Sequence, residues 1–383
     1  MSAINILYTS HTSEMNMGGQ FSLYNLLKRL DRNKYQPILL CPSNGSVSQY
    51  FRQIGCPTIF LKFPHVTAAN LFKIPFYLIS TLRLLRNSHI QIIHSDHPTH
   101  TFYMGICARI LRVPLIWHTR VSFRSRLDPV NLLLATRVIC VSKAVADRFL
   151  IRDRVSAKVL IIYNGVDYHK FRPERENGIG KELGLSQSEK VITTIGQMKP
   201  EKGMHDFIES AKLISERNTH CRFLMAGTGN DNSLTAIKNL VVSYGLQDHF
   251  SCLGFRTDVK SILNATDIFV LASYVEGFPR VVIEAMSCGK PVVGTNVQGV
   301  REAVEDGVTG LLVPPRDPES LAKAILNLIE DDRKAKRMGA AGRERVKRFF
   351  SIESNVSKVD RLYQETLDKS KRKEETDILH FQG

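Results

Sequence analysis

Short apolar segments alternate with amphipathic segments along almost the whole of this 383-residue chain. The short segments are apolar throughout rather than at every second position, a pattern typical of parallel strands that helices cover on both faces. The predicted strands are 4–10, 37–42, 58–64, 90–96, 114–119, 137–142, 159–164, 191–196, 221–227, 250–254, 267–273, 291–295 and 310–314. This alternation predicts βαβ units in doubly wound sheets.

The alternation is interrupted at Tyr168–Leu185, which is rich in charge, glycine and proline. We interpret this segment as a linker, because such residues favour turns over regular structure. It divides the chain into domains 1–168 and 169–354, and a helix over about residues 355–383 is predicted to return to the first domain. The expected fold class is α/β, with two Rossmann-like doubly wound domains facing a cleft.

Composition excludes several other classes of protein. The apolar stretches are far shorter than the roughly 20 residues that a membrane-spanning helix needs, and no basic and apolar leader opens the chain, so we expect a cytoplasmic protein. The seven cysteines are scattered without a C-x-x-C pair. They therefore indicate neither a disulfide framework nor a zinc site.

Positive charge is concentrated in the first half of the chain. Residues 1–172 contain 22 Lys and Arg against seven Asp and Glu, whereas residues 173–383 contain 30 of each. This asymmetry predicts an anionic partner for the first domain. The alternative is a basic surface that only keeps the protein soluble.

The most specific signal is the sequence EGFPRVVIEAMSCGKP at 276–291. It follows a predicted strand, at the sheet edge where open α/β sheets bind ligands. A turn at 277–279 should start a helix at Arg280, whose first N–H groups can hold a phosphate. Glu276 and Glu284 bracket this anion site and offer acceptors for sugar hydroxyls. The alternative is a pair of ordinary surface carboxylates, one of which stabilises the helix dipole.

This motif and several others, in the same order along the chain, resemble those of retaining glycosyltransferases of family four (glycosyl transferases group 1), which have the GT-B fold. The family hallmark E-x(7)-E corresponds to Glu276 and Glu284. The other matching motifs are GG at 18–19, HT at 118–119, NGVD at 164–167, KG at 202–203, AGTG at 226–229 and LGF at 253–255. The resemblance covers nearly the whole chain.

The resemblance implies a role for each matching position. Glu284 would bind the ribose of the nucleotide, Glu276 the donor sugar and Lys202 the donor diphosphate. Gly19 would let the backbone approach that diphosphate, and His118 would line the reaction centre. The remaining donor-binding candidates are Gly227, Phe255 and Arg256, which would hold the base, and Gly18, Gln197, Gly277, Phe278, Pro279, Arg280 and Val281.

Gln197 departs from the family pattern, in which an Arg beside the glycine of the phosphate loop pairs with the downstream Lys. A neutral amide cannot replace a guanidinium on a diphosphate. Lys199 or Arg280 would then have to supply the charge; the other outcomes are weaker donor binding, an unusual donor or an inactive relative.

Three weaker signals point elsewhere. The sequence HSDHPTH at 94–100 suggests a zinc site, but its histidines straddle a strand end and a proline, and the resemblance implies no metal. The sequence AGTGNDN at 226–232 lacks the last glycine of a dinucleotide-binding motif. Leu71–Arg86 is apolar and basic, which fits either a helix that seeks a membrane surface or a core helix kinked at Pro75.

The acceptor is expected on the basic first domain. Arg120, Arg124 and Arg126 follow His118 closely and are predicted to face an acidic acceptor or the anionic inner leaflet of a membrane. The stretch lacks the interleaved aromatic residues of a base-stacking platform, so nucleic acid is not expected as a partner. The protein would then be cytoplasmic, or peripheral on the inner membrane face.

The implied function is a retaining, metal-independent hexosyltransferase that takes a UDP- or GDP-linked sugar as its donor substrate and needs no cofactor. Its acceptor would be a glycan or a lipid-linked sugar, in the synthesis of cell-surface polysaccharide or glycoconjugate. The alternatives are a sugar-nucleotide epimerase with a GT-B-like fold and a nucleotide-sugar-binding protein without turnover.

Overall fold

The computed structural model describes residues 3–149, 157–174, 178–186, 188–218 and 220–381, with side chains described up to residue 369. The chain forms two compact units, each built on one parallel sheet flanked by helices. The first unit contains the residues up to Tyr163 together with those from Glu353 onward, and the second is Asn164–Ile352. The predicted domain boundaries, after residues 168 and 354, lie a few residues further along the chain than the boundaries between these two units, which follow Tyr163 and Ile352.

The first unit contains a seven-stranded sheet. Its strands are β1 (Ile4–Thr9), β2 (Tyr35–Cys41), β3 (Thr58–Phe60), β4 (Ile92–Ser95), β5 (Leu115–Thr119), β6 (Arg137–Cys140) and β7 (Val159–Ile161). The described helices are α1 (Gly18–Lys28), α2 (Ser46–Gln53), α3 (Ile74–Asn87), α4 (Pro98–Leu111), α5 (Asp128–Leu134) and α6 (Lys143–Ala146), with a 3₁₀ turn at Ala68–Lys73. The strand order is β3-β2-β1-β4-β5-β6-β7.

The second unit contains a six-stranded sheet. Its strands are β8 (Lys190–Ile195), β9 (Cys221–Ala226), β10 (Phe250–Gly254), β11 (Ile268–Leu271), β12 (Val292–Thr295) and β13 (Gly310–Val313). The described helices are α7 (Gly178–Glu182), α8 (Met204–Ser215), α9 (Asp231–Ser243), α10 (Val259–Ala265), α11 (Arg280–Ser287), α12 (Gln298–Ala303), α13 (Pro318–Glu330) and α14 (Asp332–Phe349). The strand order is β10-β9-β8-β11-β12-β13.

Both sheets contain a switch point, where the direction of strand addition reverses. In the first sheet it lies between β1 and β4, and in the second between β8 and β11. The two chain segments that leave such neighbouring strands run to opposite faces of the sheet, so a crevice opens between them at the carboxyl ends. Each sheet therefore has a defined place for a ligand.

The last helix, α15 (Ile352–Phe381), belongs mainly to the first unit. Its buried side chains Val359, Leu362 and Tyr363 share one apolar core with Ile6 of β1 and Ile92 of β4. α1 and α2 cover part of the same core, so the end of the chain completes the core of the unit with which the chain begins.

The segment 168–185, interpreted above as a linker, is part of the second unit. Phe171 is buried, and α7 lies within the segment and packs Ile179 against Ala226 and Ile262. A few buried apolar residues are enough to fold a segment whose overall composition is that of a loop.

A core helix kinked at Pro75, one of the two alternatives given for Leu71–Arg86, is not what the structure shows. α3 begins at Ile74, so Pro75 occupies its first turn, where a missing N–H breaks no intrahelical bond. α13 begins at Pro318, and the Asp317 carboxylate caps it by accepting from the Ser320 N–H over 2.9 Å. No helix in the described part of the chain is long and apolar enough to cross a bilayer.

Candidate active site

The switch point of the second sheet brings together two side chains that the sequence analysis selected. Lys202 ends a 3₁₀ turn (Pro200–Lys202) after β8, and Glu276 lies in the loop after β11. The Lys202 ammonium lies 2.7 Å from Glu276 Oε1, and the Ser273 hydroxyl donates to the same oxygen over 2.7 Å. A cation and a carboxylate therefore face each other at the edge where doubly wound sheets bind ligands.

Backbone contacts hold the two loops together. Gly203 has a φ of +63°, and a Cβ on it would lie 2.0 Å from the carbonyl oxygen of Ala272. Only glycine fits there, so α8 can begin directly against the end of β11. The Tyr274 N–H also donates to the Glu201 carbonyl over 2.8 Å. The distance between the charged pair is thus fixed by its own loops.

Glu284 lies one helical turn inside α11, which begins directly after the turn at 277–279. The turn is anchored by Phe278, whose ring packs 5.2 Å from that of Phe350. Glu284 is only 2% exposed, and its carboxylate lies 3.2 Å from the Arg280 guanidinium. Burial raises the pKa of Glu284, and the charges of Arg280 and Lys170 oppose that rise. A helix start and a buried carboxylate therefore lie within one turn of each other.

Three neighbouring strands of the second sheet, β8, β9 and β10, each end at a glycine or just before one. The Gly196 N–H donates to the Ala226 carbonyl over 3.0 Å, and the Gly227 N–H donates to the Gly254 carbonyl over 2.8 Å. A Cβ on Gly227 would lie 1.7 Å from the Gly196 carbonyl oxygen, so no larger residue fits. The backbone at these strand ends is bare of side chains, and a flat base can approach it closely.

Phe255 and Arg256 follow the last of these glycines. The Phe255 side chain is 48% exposed. The Arg256 guanidinium is held by Glu182 of α7 at 2.7 and 3.0 Å and by Asp258 at 2.7 Å. Since these partners occupy the Arg256 side chain, its backbone is what remains for the predicted contact with a base.

Gln197 is half-buried in the loop that leads from β8 to Lys202. Its carbonyl accepts from the Lys199 N–H over 2.9 Å, and the Lys199 side chain is exposed. Arg280, the other residue suggested as a substitute cation, is paired with Glu284. Lys202 is therefore the cation that this loop directs at Glu276.

In the first unit, His118 lies at the end of β5 and is 3% exposed. Its Nδ1 lies 3.0 Å from His94 Nε2 and 3.3 Å from the Arg120 guanidinium. A guanidinium can only donate, so His118 Nδ1 accepts from it and the ring proton lies on Nε2. That buried Nε2 has no partner among the described residues. The ring thus offers an N–H donor to a bound molecule.

A chain of buried hydroxyl and imidazole groups connects His118 to α15. The Tyr363 hydroxyl lies 2.7 Å from His94 Nδ1 and 2.9 Å from the hydroxyl of Tyr8. Burial, together with the nearby charge of Arg120, lowers the pKa of His94 to about 3 and that of His118 well below its ordinary value. Both imidazoles are therefore neutral at pH 7. Tyr363 is 269 residues from His94, and no spacing in the sequence indicates this contact.

Gly18 and Gly19 are the first two residues of α1. A Cβ on Gly19 would lie 3.2 Å from the Cδ of Arg120. Arg120 therefore packs on the helix start while it contacts the imidazole at the end of β5. Arg124 and Arg126, further along the same loop, are exposed.

A cavity of about 310 Å³ opens at the first switch point. His11 follows β1 and stacks on His97, which follows β4, with ring centroids 4.5 Å apart. His100 is 4% exposed, and its Nδ1 has no partner in the described part of the chain. The other polar lining residues are Thr12, Ser13, Ser43, Lys62, His65 and Thr99. The cavity offers hydroxyl and imidazole groups to a polar ligand.

The histidines of the motif at 94–100 thus serve two separate sites. His94 contacts Tyr363 and His118, whereas His97 and His100 line the cavity. Among the described residues, no group of three His, Cys, Asp or Glu is placed to hold a metal ion. The zinc interpretation therefore finds no support in this part of the chain.

Comparison with known proteins identifies the family. Residues 17–170 match the family model Glycosyltransferase Family 4, and residues 177–345 match Glycosyl transferases group 1. The UDP-Gal:alpha-D-GlcNAc-diphosphoundecaprenol alpha-1,3-galactosyltransferase of Escherichia coli is 30% identical over 87% of this chain and 90% of its own. The N,N'-diacetylbacillosaminyl-diphospho-undecaprenol alpha-1,3-N-acetylgalactosaminyltransferase of Campylobacter jejuni is 24% identical over 80% of this chain and 85% of its own.

Solved structures share the fold. The Anabaena protein HepE in complex with UDP-glucose matches with a TM-score of 0.83 at 21% identity, over 94% of this chain and 100% of its own. These comparisons confirm the predicted GT-B architecture of two Rossmann-like domains and the predicted family. Lys202 and Glu276 lie at one switch point, and the E-x(7)-E motif surrounds the start of α11. The chain belongs to the glycosyl transferases group 1, the GT-B glycosyltransferases of family-four type.

Proposed function

We propose that this glycosyltransferase moves a hexosyl group from a UDP- or GDP-linked sugar with retention of anomeric configuration and without a metal ion. The observation that carries the proposal is the contact between Lys202 and Glu276 at the second switch point, with Glu284 buried just inside the start of α11. A cation suits a diphosphate, and carboxylates suit the hydroxyls of a sugar and a ribose.

Each of these side chains has a task in the proposed reaction. The Lys202 ammonium balances the negative charge that grows on the diphosphate as it leaves. Glu276 accepts hydrogen bonds from the donor sugar, and the Ser273 hydroxyl, 2.7 Å from its Oε1, fixes the orientation of the carboxylate. Glu284 accepts hydrogen bonds from the ribose.

The proposed step takes place on one face of the donor sugar. The bond between sugar C1 and the diphosphate oxygen breaks while C1 bonds to the acceptor oxygen, and the acceptor proton passes to the departing diphosphate oxygen. No side chain has to act as a nucleophile, so the protein positions the substrates and stabilises charge. The His118 Nε2–H would donate to an oxygen of the sugar or of the acceptor.

The acceptor is proposed to be a glycan or a lipid-linked sugar bound by the first unit. Two similar enzymes are named for substrates joined through diphosphate to undecaprenol. The cavity at His11 and His97 supplies polar groups for such a molecule, and Lys62 on its wall supplies a cation. The reaction would contribute to the synthesis of surface polysaccharide or glycoconjugate. It would take place at a cytoplasmic membrane face, with Arg124 and Arg126 directed toward anionic groups.

Incubation with a panel of UDP- and GDP-linked hexoses tests the proposal, with a short-chain lipid diphosphate sugar as the acceptor. We expect sugar transfer or slow donor hydrolysis, a product with the anomeric configuration of the donor by NMR, and an unchanged rate in EDTA. A product with inverted anomeric configuration would contradict the proposed retention, and a loss of activity in EDTA would contradict the proposed independence of a metal ion. Interconversion of the donor sugar would identify an epimerase. Binding without turnover would identify a binding protein, an outcome that Gln197 favours.

A further inference from the structure

An exposed apolar stripe runs along the start of α3 and the turn before it. The side chains of Phe72, Phe76 and Ile79 are 76%, 67% and 50% exposed. Two exposed arginines, Arg83 and Arg86, continue the same spacing of three and four residues, so Phe76, Ile79, Arg83 and Arg86 lie on one side of α3, and Phe72 precedes them in the 3₁₀ turn. We call these five residues the α3 stripe. Leu71 beside it is 57% exposed.

The fold itself does not require this stripe. The other side of α3 packs Tyr77, Leu78, Leu82 and Leu85 into the core that also contains Tyr103 of α4. The helix therefore buries one apolar side against the sheet and leaves a second apolar side uncovered. Contiguous exposed apolar side chains with a polar rim mark a surface that binds a partner or a membrane.

Charge around the stripe identifies the kind of partner. The turn and helix that carry the stripe, residues 68–87, contain Lys73, Arg83 and Arg86 and not one Asp or Glu. A second copy of the same surface would bring basic residues together without any acidic residue from this segment to pair with them. An anionic bilayer instead accepts both halves of the stripe, since apolar side chains enter the acyl boundary and arginines contact the headgroups.

We propose that the α3 stripe docks the first unit on an anionic membrane, with Phe72, Phe76 and Ile79 inserted into the interfacial layer. This extends the proposed function, because a lipid-linked acceptor resides in such a layer. The opposite side of α3 contacts a residue of the cavity at the first switch point. Phe63 lines that cavity, and its ring lies 6.1 Å from the ring of Tyr77 on α3. Docking through the stripe would therefore leave α3 between the membrane surface and this wall of the cavity.

Vesicle sedimentation tests the proposal directly. The wild-type protein should bind phosphatidylglycerol vesicles at low salt and bind phosphatidylcholine vesicles much more weakly. The triple variant Phe72→Ser/Phe76→Ser/Ile79→Ser should lose at least about tenfold of its partition coefficient, because the inserted apolar area is removed. Arg83→Gln/Arg86→Gln should reduce binding to the anionic vesicles and weaken its dependence on salt.

Leu133→Ser provides the matched control. Leu133 is 65% exposed, close to the 67% of Phe76, and lies on α5 rather than on α3 or in the arginine-rich loop after β5. This variant should bind vesicles like the wild type. An equal loss in Leu133→Ser, or no loss in the triple variant, would overturn the proposal. A change in oligomeric state of the triple variant by light scattering without lipid would assign the stripe to a second copy of the chain and would also overturn it.

Activity separates this proposal from the proposed function. The triple variant should transfer sugar to a water-soluble, short-chain acceptor at the wild-type rate and should lose rate only when the acceptor is embedded in vesicles. If the wild type binds vesicles through α3 but transfers no sugar to either acceptor, the transferase proposal fails and the docking surface stands. If transfer to embedded acceptor is equal in both proteins, the docking proposal fails alone.

Discussion

Glu276 and Glu284 are eight residues apart, yet the fold gives them different surroundings. Glu276 is 11% exposed and contacts an ammonium and a hydroxyl. Glu284 is almost fully buried and contacts only the Arg280 guanidinium among the described ion pairs. We therefore expect the two carboxylates to act at different stages, one on the sugar at the reacting end of the donor and the other on its nucleotide.

Substitution of each carboxylate by its amide should separate these stages. Glu284→Gln should weaken UDP or GDP binding by about tenfold or more, because a hydrogen bond to a charged group contributes about 1.5–3 kcal/mol. Glu276→Gln should mainly lower kcat, because it removes the charge that faces Lys202. Calorimetry and steady-state kinetics measure the two effects, with exposed Glu209→Gln on α8 as the control. Wild-type binding and kinetics in both variants would contradict the assignment of Glu276 and Glu284 to the donor site.

Tyr363→Phe should reduce kcat by about two- to tenfold with little change in KM for the donor. The Tyr363 hydroxyl bonds His94, which contacts the Nδ1 of His118, so its loss frees the imidazole pair to rotate, and one such hydrogen bond contributes about 0.5–1.5 kcal/mol. Tyr24→Phe, whose ring packs on Tyr50 and Phe51, is the matched control. A parallel loss of kcat in both variants would show that the effect is only one of packing.

Among the elements, α8 is the one whose position decides the donor site. It begins directly after Lys202 and is held against β11 by the close approach of Gly203 to the Ala272 carbonyl. A helix start fixed in this way presents the preceding lysine at a constant distance from the loop after β11. The E-x(7)-E loop and the lysine loop therefore form one assembly within the second unit.

Gly203→Ala should destabilise the second unit by at least about 2 kcal/mol, since the new Cβ meets backbone at 2.0 Å and φ is positive. Gly180→Ala is the control, because a Cβ at that position in α7 would meet no atom of the described residues within 4 Å and alanine improves helix propensity by up to about 1 kcal/mol. Denaturant unfolding followed by circular dichroism measures both. Equal midpoints for the two variants would contradict the close approach.

At the scale of the whole molecule, the first unit concentrates buried imidazoles at its switch point. Burial lowers the pKa of His94 and His100 to about 3 and that of His97 to about 4, and it raises the pKa of Asp96. A histidine with a lowered pKa contributes its full share of stability above the unfolded value of 6.5, and that share is lost as the pH falls toward the folded value. Asp96 acts in the opposite direction, but the three histidines and His118, whose pKa is also lowered, outweigh this one carboxyl.

The unfolding free energy should therefore fall as the pH drops below about 6.5, with each such histidine adding about 1.4 kcal/mol per pH unit to the slope. His100→Gln should make the slope shallower by about that amount, whatever its effect on stability at neutral pH. Urea unfolding at several pH values between neutrality and about pH 5 measures the slope. An unchanged slope in the variant would show that His100 is protonated in the folded protein.

Local patterning was sufficient for the fold class, the strand positions and the placement of the segment 276–291 at a sheet edge. Parallel strands covered on both faces are apolar throughout, and this property is visible within five or six residues. Residues just after such strands meet at one sheet edge in any doubly wound order, so the E-x(7)-E segment could be assigned to a site, whereas Lys202 was selected only by the resemblance to the family.

Other features depended on the tertiary structure. The contacts of Tyr363 with His94 and of Arg120 with Gly19 depend on which strands become neighbours and where the last helix docks, and no local pattern encodes either. The apolar sequence of α3 is equally compatible with burial on all sides, so only the packing of the helix shows that Phe72 and Phe76 remain exposed. The sequence by itself determined the kinds of elements and the candidate chemistry, because these follow from short-range periodicity and residue type. Partners distant along the chain, and the side of each helix left uncovered, were decided by tertiary packing alone.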